Sequence, residues 1–219
     1  MATITDQARL WQLISPTLPV GAFSYSQGLE QAVQCGWVSD EATSHAWIEG
    51  VLEHGMSSVD IPVIKRVHSA WRRGDATEIA RWDAICHACR ETDELRKEDR
   101  NMGGALKRLT LELGDAVPDV AMGFAAAYAV VAANWSVPAR DAAAGYAWAW
   151  CENQVAAAIK LVPLGHSAGQ RLLRDLAAKL EGVVERGMKC SDDELGMSLP
   201  GLAIASARHE TQYTRLFRS

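Results

Sequence analysis

The sequence predicts an all-α fold: a single helical bundle of roughly eight to ten helices with an irregular C-terminal tail. Three observations carry that prediction. Ala, Leu, Glu and Arg, all strong helix formers, dominate the chain. No sustained run of alternating β-branched residues marks a strand. Prolines and glycines punctuate the apolar stretches at intervals that suit helices joined by short connections.

The elements follow in order. Asp6 to Ile14 sets Leu10, Leu13 and Ile14 at helical spacing. It stops at Ser15-Pro16, because the residue before a proline is pushed out of the α region. Pro16 to Phe23 is a loop carrying Pro19 and Gly21. Ser24-Tyr25-Ser26-Gln27 then fits a capping box, which predicts a helix from Ser24 that ends at Gly36 in the C′ position. Ser39 with Asp40 and Glu41 opens the next, with the apolar stripe Trp47, Ile48, Val51 and Leu52. Ile61, Ile64, Val67 and Trp71 line another, closed by Gly74, and Asp75-x-x-Glu78 starts the one after.

From Thr92, one face stays apolar through Leu95, Met102, Leu106, Leu109 and Leu113. Gly103-Gly104 interrupts it at about 1 kcal/mol per glycine relative to alanine, which a bend or a close helix contact would explain. Pro118 opens an Ala-rich segment through Val131, and Pro138 opens another through Leu161. After Pro163 and Gly165 a helix runs to about Arg186 on Leu173, Leu176, Leu180 and Val183. The alanines of these later segments suit a tightly packed core and equally a helical dimer interface.

Residues 1–190 are thus read as one all-α domain. Composition changes in 191–219: Ser191-Asp192-Asp193-Glu194 is acidic, Pro200 acts as a breaker, and Arg208, Arg215 and Arg218 stand against the lone acid Glu210 after Ala207. Such a basic, aromatic tail is either a frayed terminus or a partner-binding segment, partly mobile alone.

Bulk properties exclude several classes. The 219 residues are enough for a substantial core, and the net charge of -5 offers no broad basic field for nucleic acid or an anionic membrane. The first twenty residues lack the basic and apolar regions of an export signal. The Ala-rich stretch Met122 to Ala133 falls short of the roughly 20 residues of a membrane span. Cys35, Cys86, Cys89, Cys151 and Cys190 are too scattered for a disulfide framework, which points to a reducing, cytoplasmic setting.

Candidate chemistry is sparse. Cys86-His87-Ala88-Cys89 has C-x-x-C spacing, yet it lacks the second pair of a zinc finger and continues the apolar face of Ile79, Trp82 and Ile85. Core packing is the better reading, with metal binding as its rival. Gly21 to Gly28 only superficially resembles a nucleophile elbow, and no P-loop or H-E-x-x-H exists. Among the six histidines, His68 lies on an apolar stripe and reads as a satisfied core residue. His54 and His166 sit near helix ends, while His209, in the tail, is placed to meet a partner or a metal in transit. The mixed-sign run Arg90 to Arg100 reads as a solvated helix face. No enzyme activity is expected.

Four stretches add a resemblance. Ser15 to Glu30 (SPTLPVGAFSYSQGLE) with Gly36-Trp37-Val38 is similar to the N-terminal signature of UreF proteins, and Arg208 to Ser219 (RHETQYTRLFRS) to their C-terminal one. Glu91 to Met102 and Ala158 to Gly165 resemble the family in order and spacing, although His166 stands where glutamine is expected. The resemblance spans nearly the whole chain. It implies a cytoplasmic, all-α homodimer without enzymatic activity: a urease accessory protein. Its partners would be a UreD/UreH-type protein, the GTPase UreG and apo-urease, with nickel inserted as UreG hydrolyses GTP. The chain would act as scaffold and regulator of the GTPase and hold no cofactor stably, nickel passing only in transit. The alternative is a metallochaperone that holds nickel directly through His and Cys.

On this reading the tail residues Arg208, His209, Glu210, Thr211, Gln212, Tyr213, Arg215, Leu216, Phe217 and Arg218 bind the UreD-type partner. The arginines would make bidentate bonds to carboxylates, and Tyr213, Leu216 and Phe217 would fill apolar pockets. Gln27, Glu30 and Lys160 are expected at the GTPase surface.

Overall fold

A computed structural model describes residues 4–196 and 198–219, and its described residues form ten α-helices and no strand. In chain order they are α1 (Ile4–Leu13), α2 (Leu29–Gln34), α3 (Glu41–Gly50), α4 (Asp60–Arg72), α5 (Ala76–Ala88), α6 (Asp93–Glu112), α7 (Phe124–Asn134), α8 (Ala139–Leu161), α9 (His166–Lys189) and α10 (Pro200–His209). A single 3-10 turn covers Ala22–Ser24, and a π-helical stretch, Val51–Met56, links α3 to α4. None of the described helices is long and apolar enough to cross a membrane.

The core is built around α4 and α7. Every residue from Ala125 to Ala132 is buried, because a helix apolar on all faces can only sit inside. Its alanines let α4 approach closely, and with α5, α8 and α9 covering the other faces, Ile61, Val63, Ile64 and Val67 lose all exposure. Each such large aliphatic side chain contributes about 1.5–3 kcal/mol on burial. Around this pair pack α5, α6, α8 and α9, while α10 rests on α2 and α6.

Most predicted boundaries appear where local chemistry places them. Asp40 caps α3 in a reciprocal box with Thr43, Asp75 caps α5 through the Glu78 amide, and Thr92 caps α6 through Leu95. Gly36 and Gly74 follow their helices with positive φ. Pro138 stands just before α8.

Three boundaries differ, each for a tertiary reason. Ser24 caps nothing: its hydroxyl donates to Gly21 O at 2.7 Å, and α2 starts later, at Leu29. Gln27 adopts φ 52 instead of entering a helix. Gly28 follows at φ 77, and a Cβ there would come within 3.2 Å of the Ser206 nitrogen, so glycine lets α10 lie against α2.

The Ala-rich helix begins at Phe124, well after Pro118. The carboxylate of Asp83 accepts the Gly123 N–H at 2.6 Å, and Asp99 accepts that of Phe124 at 3.1 Å, so α7 is started from outside. Gly103 completes the arrangement, since a Cβ on it would overlap the Met122 carbonyl oxygen. A close contact therefore explains that glycine.

The expected irregular tail contains α10. Pro200 occupies the first turn, where its missing N–H costs nothing, so it starts a helix instead of breaking one.

Candidate functional site

The tail is seated on carboxylates from two helices. Glu30, in the first turn of α2, is 8% exposed and accepts from four groups of the C-terminal segment. Leu216 N–H lies at 2.7 Å and Phe217 N–H at 2.8 Å, one on each oxygen. Gln212 Nε2 and His209 Nε2 complete the set, each at 3.3 Å. Glu30 is itself held by the Ser26 hydroxyl, which accepts its N–H at 3.3 Å.

The second support is the first turns of α6. Glu94 meets His209 Nδ1 at 2.7 Å and Arg215 Nη1 at 2.5 Å. Glu210 reaches back to accept the N–H groups of Asp93 and Glu94 at 3.0 and 3.2 Å, an acid at the positive end of a helix. Thr92 and Ser206 share a hydroxyl contact of 2.7 Å. Both ring nitrogens of the fully buried His209 thus face carboxylates.

The chain end is fastened last. Ser219 O accepts from Ser26 N–H at 2.8 Å and from the Ser26 hydroxyl at 2.6 Å. The Ser219 hydroxyl donates to Glu98 at 2.6 Å, and Gln27 Nε2 donates to the other Glu98 oxygen at 2.7 Å. Burial pushes Glu98 up to about 7, against the pull of these two hydrogen bonds. Trp150 Nε1 fixes Gln27 at 2.7 Å, and Lys160 Nζ stands 5.7 Å from the centre of the buried Phe217 ring.

The sequence reading expected two separate surfaces, one at the tail and one at Gln27, Glu30 and Lys160. They form a single cluster. Gln27 and Glu30 face the tail, Lys160 borders it in solvent, and Phe217 and His209 point inward. What faces outward is Arg208, Glu210, Thr211, Arg215, Arg218, Leu216 at 64% exposure and a fully exposed Tyr213; Gln212 is half-buried. Glu94, Glu98 and Ser26 were missed as part of this site. The signal for Glu94 and Glu98 lay in the run Arg90 to Arg100, read as solvated, where Glu98 and Asp99 are each only 5% exposed; Ser26 lay in the stretch Ser15 to Glu30.

That run also supplies an interior charge network. Arg90 Nη2 contacts Asp60 Oδ1 at 2.5 Å and Asp99 Oδ1 at 3.6 Å, Tyr146 donates to Asp60 at 3.0 Å, and Arg100 Nη1 reaches Asp83 at 2.6 Å. Burial opposes the charged form of Arg90, but Asp60 and Asp99 outweigh it and hold the guanidinium well above its ordinary value. Asp99 moves up, chiefly through burial. A cavity of about 280 Å³ adjoins the network, lined by Asp60, Arg90, Glu98, Asp99, Tyr128 and Gln27.

The metal-ligand candidates are otherwise engaged. Cys86 is buried and Cys89 half-buried in the core, and burial raises both thiols, so they stay protonated. His68 Nε2 donates to Val137 O at 2.9 Å, and burial lowers its pKa, as a core histidine requires. Among the described residues no group of three or more His, Cys, Asp or Glu is arranged to hold a metal ion.

The chain is thus a helical bundle whose buried carboxylates hold its own C-terminal segment, with aromatic and basic side chains of that segment outward. The sequence profile of the UreF family matches residues 38–177. The urease accessory protein UreF of Alkalilimnicola ehrlichii is 52% identical over 218 residues, covering 97% of this chain and 96% of that one. Its counterparts in Azoarcus sp. and Chromohalobacter salexigens are 50% and 47% identical, covering 96% and 97% of this chain and 94% of each relative. The chain belongs to the UreF family of urease accessory proteins.

Proposed function

We propose that this chain is a non-enzymatic, cytoplasmic scaffold for urease maturation. It joins a UreD/UreH-type protein and the GTPase UreG on apo-urease, and it regulates the GTPase while nickel is inserted at the expense of GTP. The observation that carries this reading is the seated tail: Glu30 fastens its main chain and Glu94 holds His209 and Arg215, which leaves Tyr213, Leu216 and Arg208 for a partner. Exposed tyrosine and arginine are the residue types that anchor protein interfaces. The UreD-type protein takes this outer face. Lys160, beside Phe217 and exposed, is assigned to the UreG contact, and Glu30 acts on both by holding the tail.

Nickel is cargo on this reading. Raised thiols at Cys86 and Cys89, and a His209 already shared by two carboxylates, favour the scaffold over a metallochaperone that holds nickel through His and Cys. Tyr213→Asp combined with Leu216→Asp changes only exposed side chains, so the variant should keep its helical content. It should lose co-purification with the UreD-type protein by about 10-fold or more. Undiminished recovery of the complex would remove the tail from the interface. Lys160→Ala should weaken UreG retention while leaving the UreD-type partner bound.

A further inference from the structure

Beside the seat of Ser219, α6 and the loop Pro19–Ser24 line a cleft of about 450 Å³. Its α6 wall carries Arg100, Gly104 and Arg108, one turn apart on a single stripe. Arg218 closes the third side, anchored where its N–H donates to Ser24 O at 2.8 Å. Arg100 spends one nitrogen on Asp83, and its fork keeps further donors. Among the described residues, no carboxylate lies within ion-pair distance of Arg108 or Arg218. Three cations converge on a protein whose net charge is -5. An anion between them would be attracted by all three.

Gly104 gives an independent pointer. Its neighbour Gly103 is required by contact with the Met122 carbonyl, but a Cβ on Gly104 would meet nothing closer than Arg108 Nη1 at 3.7 Å. A glycine inside a helix costs about 1 kcal/mol relative to alanine, and packing does not account for this one. Its missing side chain deepens the floor of the cleft between the two arginines.

We propose that this cleft binds a phosphate-class oxyanion, held by the guanidinium groups of Arg100, Arg108 and Arg218 over Gly104. Guanidinium forks match the geometry of phosphate oxygens, and approach from three sides suits a compact, multiply charged anion. The same chemistry is offered by inorganic phosphate and by the phosphate chain of a nucleotide. Because Arg218 reaches the cleft only while the tail is seated, bound anion stabilises the seated tail, and the seated tail completes the site.

The test is calorimetric titration of the full chain with sodium phosphate against chloride at matched ionic strength. Saturable binding specific to phosphate is expected. Arg108→Ala or Arg218→Ala should weaken it by about 10-fold or more, while Arg73→Ala, at an exposed arginine that does not line the cleft, leaves it unchanged. Gly104→Ala should raise the thermal midpoint and yet weaken phosphate binding, a combination that misfolding cannot produce. A parallel titration with ATP identifies the source: tighter binding with the same variant losses assigns a nucleotide, and equal or weaker binding assigns free phosphate. No saturable signal beyond chloride, or full binding in the Arg108→Ala/Arg218→Ala double variant, overturns the proposal.

Discussion

The contact of α4 with α7 and the seat of the tail are both buried, and their chemistry is opposite. In the first, Ile61, Val63, Ile64 and Val67 of α4 and the alanines 125–127, 129 and 132 of α7 are buried to within 1% of their surface. In the second, Ser26, Glu30, Glu98, His209 and Ser219 are all nine-tenths buried or more, and polar contacts join them. Apolar burial is non-directional and scales with area, so it is insensitive to small displacements and to protons. A polar seat depends on the count and protonation of its donors, and water can replace those donors when the seat opens. The core is therefore held by apolar area, and the tail seat by the number and geometry of its polar contacts.

Substitutions can break or sharpen that contrast. Ile64→Ala should cost the most, about 3 kcal/mol of global stability in urea unfolding, since it empties a fully buried site. A loss below about 1 kcal/mol would mean the α4–α7 contact is not the anchor of the fold.

Glu98 comes next. Its pKa is raised from 4.5 to about 7 in the fold, so its contribution to stability is complete below about 4.5 and is lost as pH rises through about 7. The shift corresponds to roughly 3 kcal/mol at most. Unfolding free energies measured from pH 5 to pH 8 should therefore fall more steeply in the native chain than in Glu98→Gln, and parallel profiles would refute the assignment.

Glu30→Ala should cost less globally, about 1–2 kcal/mol, because water takes over the freed donors as the tail lifts. Locally its effect is larger: the amides of Leu216 and Phe217 should lose their hydrogen-exchange protection while those of α4 keep theirs. Uniform loss across both regions would show that seat and core open as one unit. Asp40→Ala, far from both, is the smallest, at about 1 kcal/mol for a lost helix cap, with tail exchange unchanged.

Much of the helical framework was legible beforehand, because its signals lie within a few residues of what they control. Asp40 with Thr43, Asp75 with Glu78 and Gly36 after α2 act over three or four positions. Pro200 shows how a correct signal can be misread: proline ends a helix from inside and starts one from its first turn, and only the residues after it distinguish the two. The charged run Arg90 to Arg100 failed differently. Its spacing fits a solvated face, and burial came from partners far along the chain, such as Asp60 for Arg90 and Ser219 for Glu98.

Two motifs at opposite ends of the chain, Ser15 to Glu30 and Arg208 to Ser219, were visible as strings and as a family resemblance. That they are two halves of one site was not visible, since Glu30 meets Phe217 across 187 positions of sequence. By itself, then, the sequence determined the all-α class, most helix boundaries and the family, because periodicity, capping and motif order are local properties. The tertiary structure alone decided that Ser24 caps nothing, that α7 waits for Asp83 and Asp99, and that His209 faces inward between two carboxylates. Those outcomes rest on desolvated hydrogen bonds between distant segments, whose partners exist only once the bundle has brought them together.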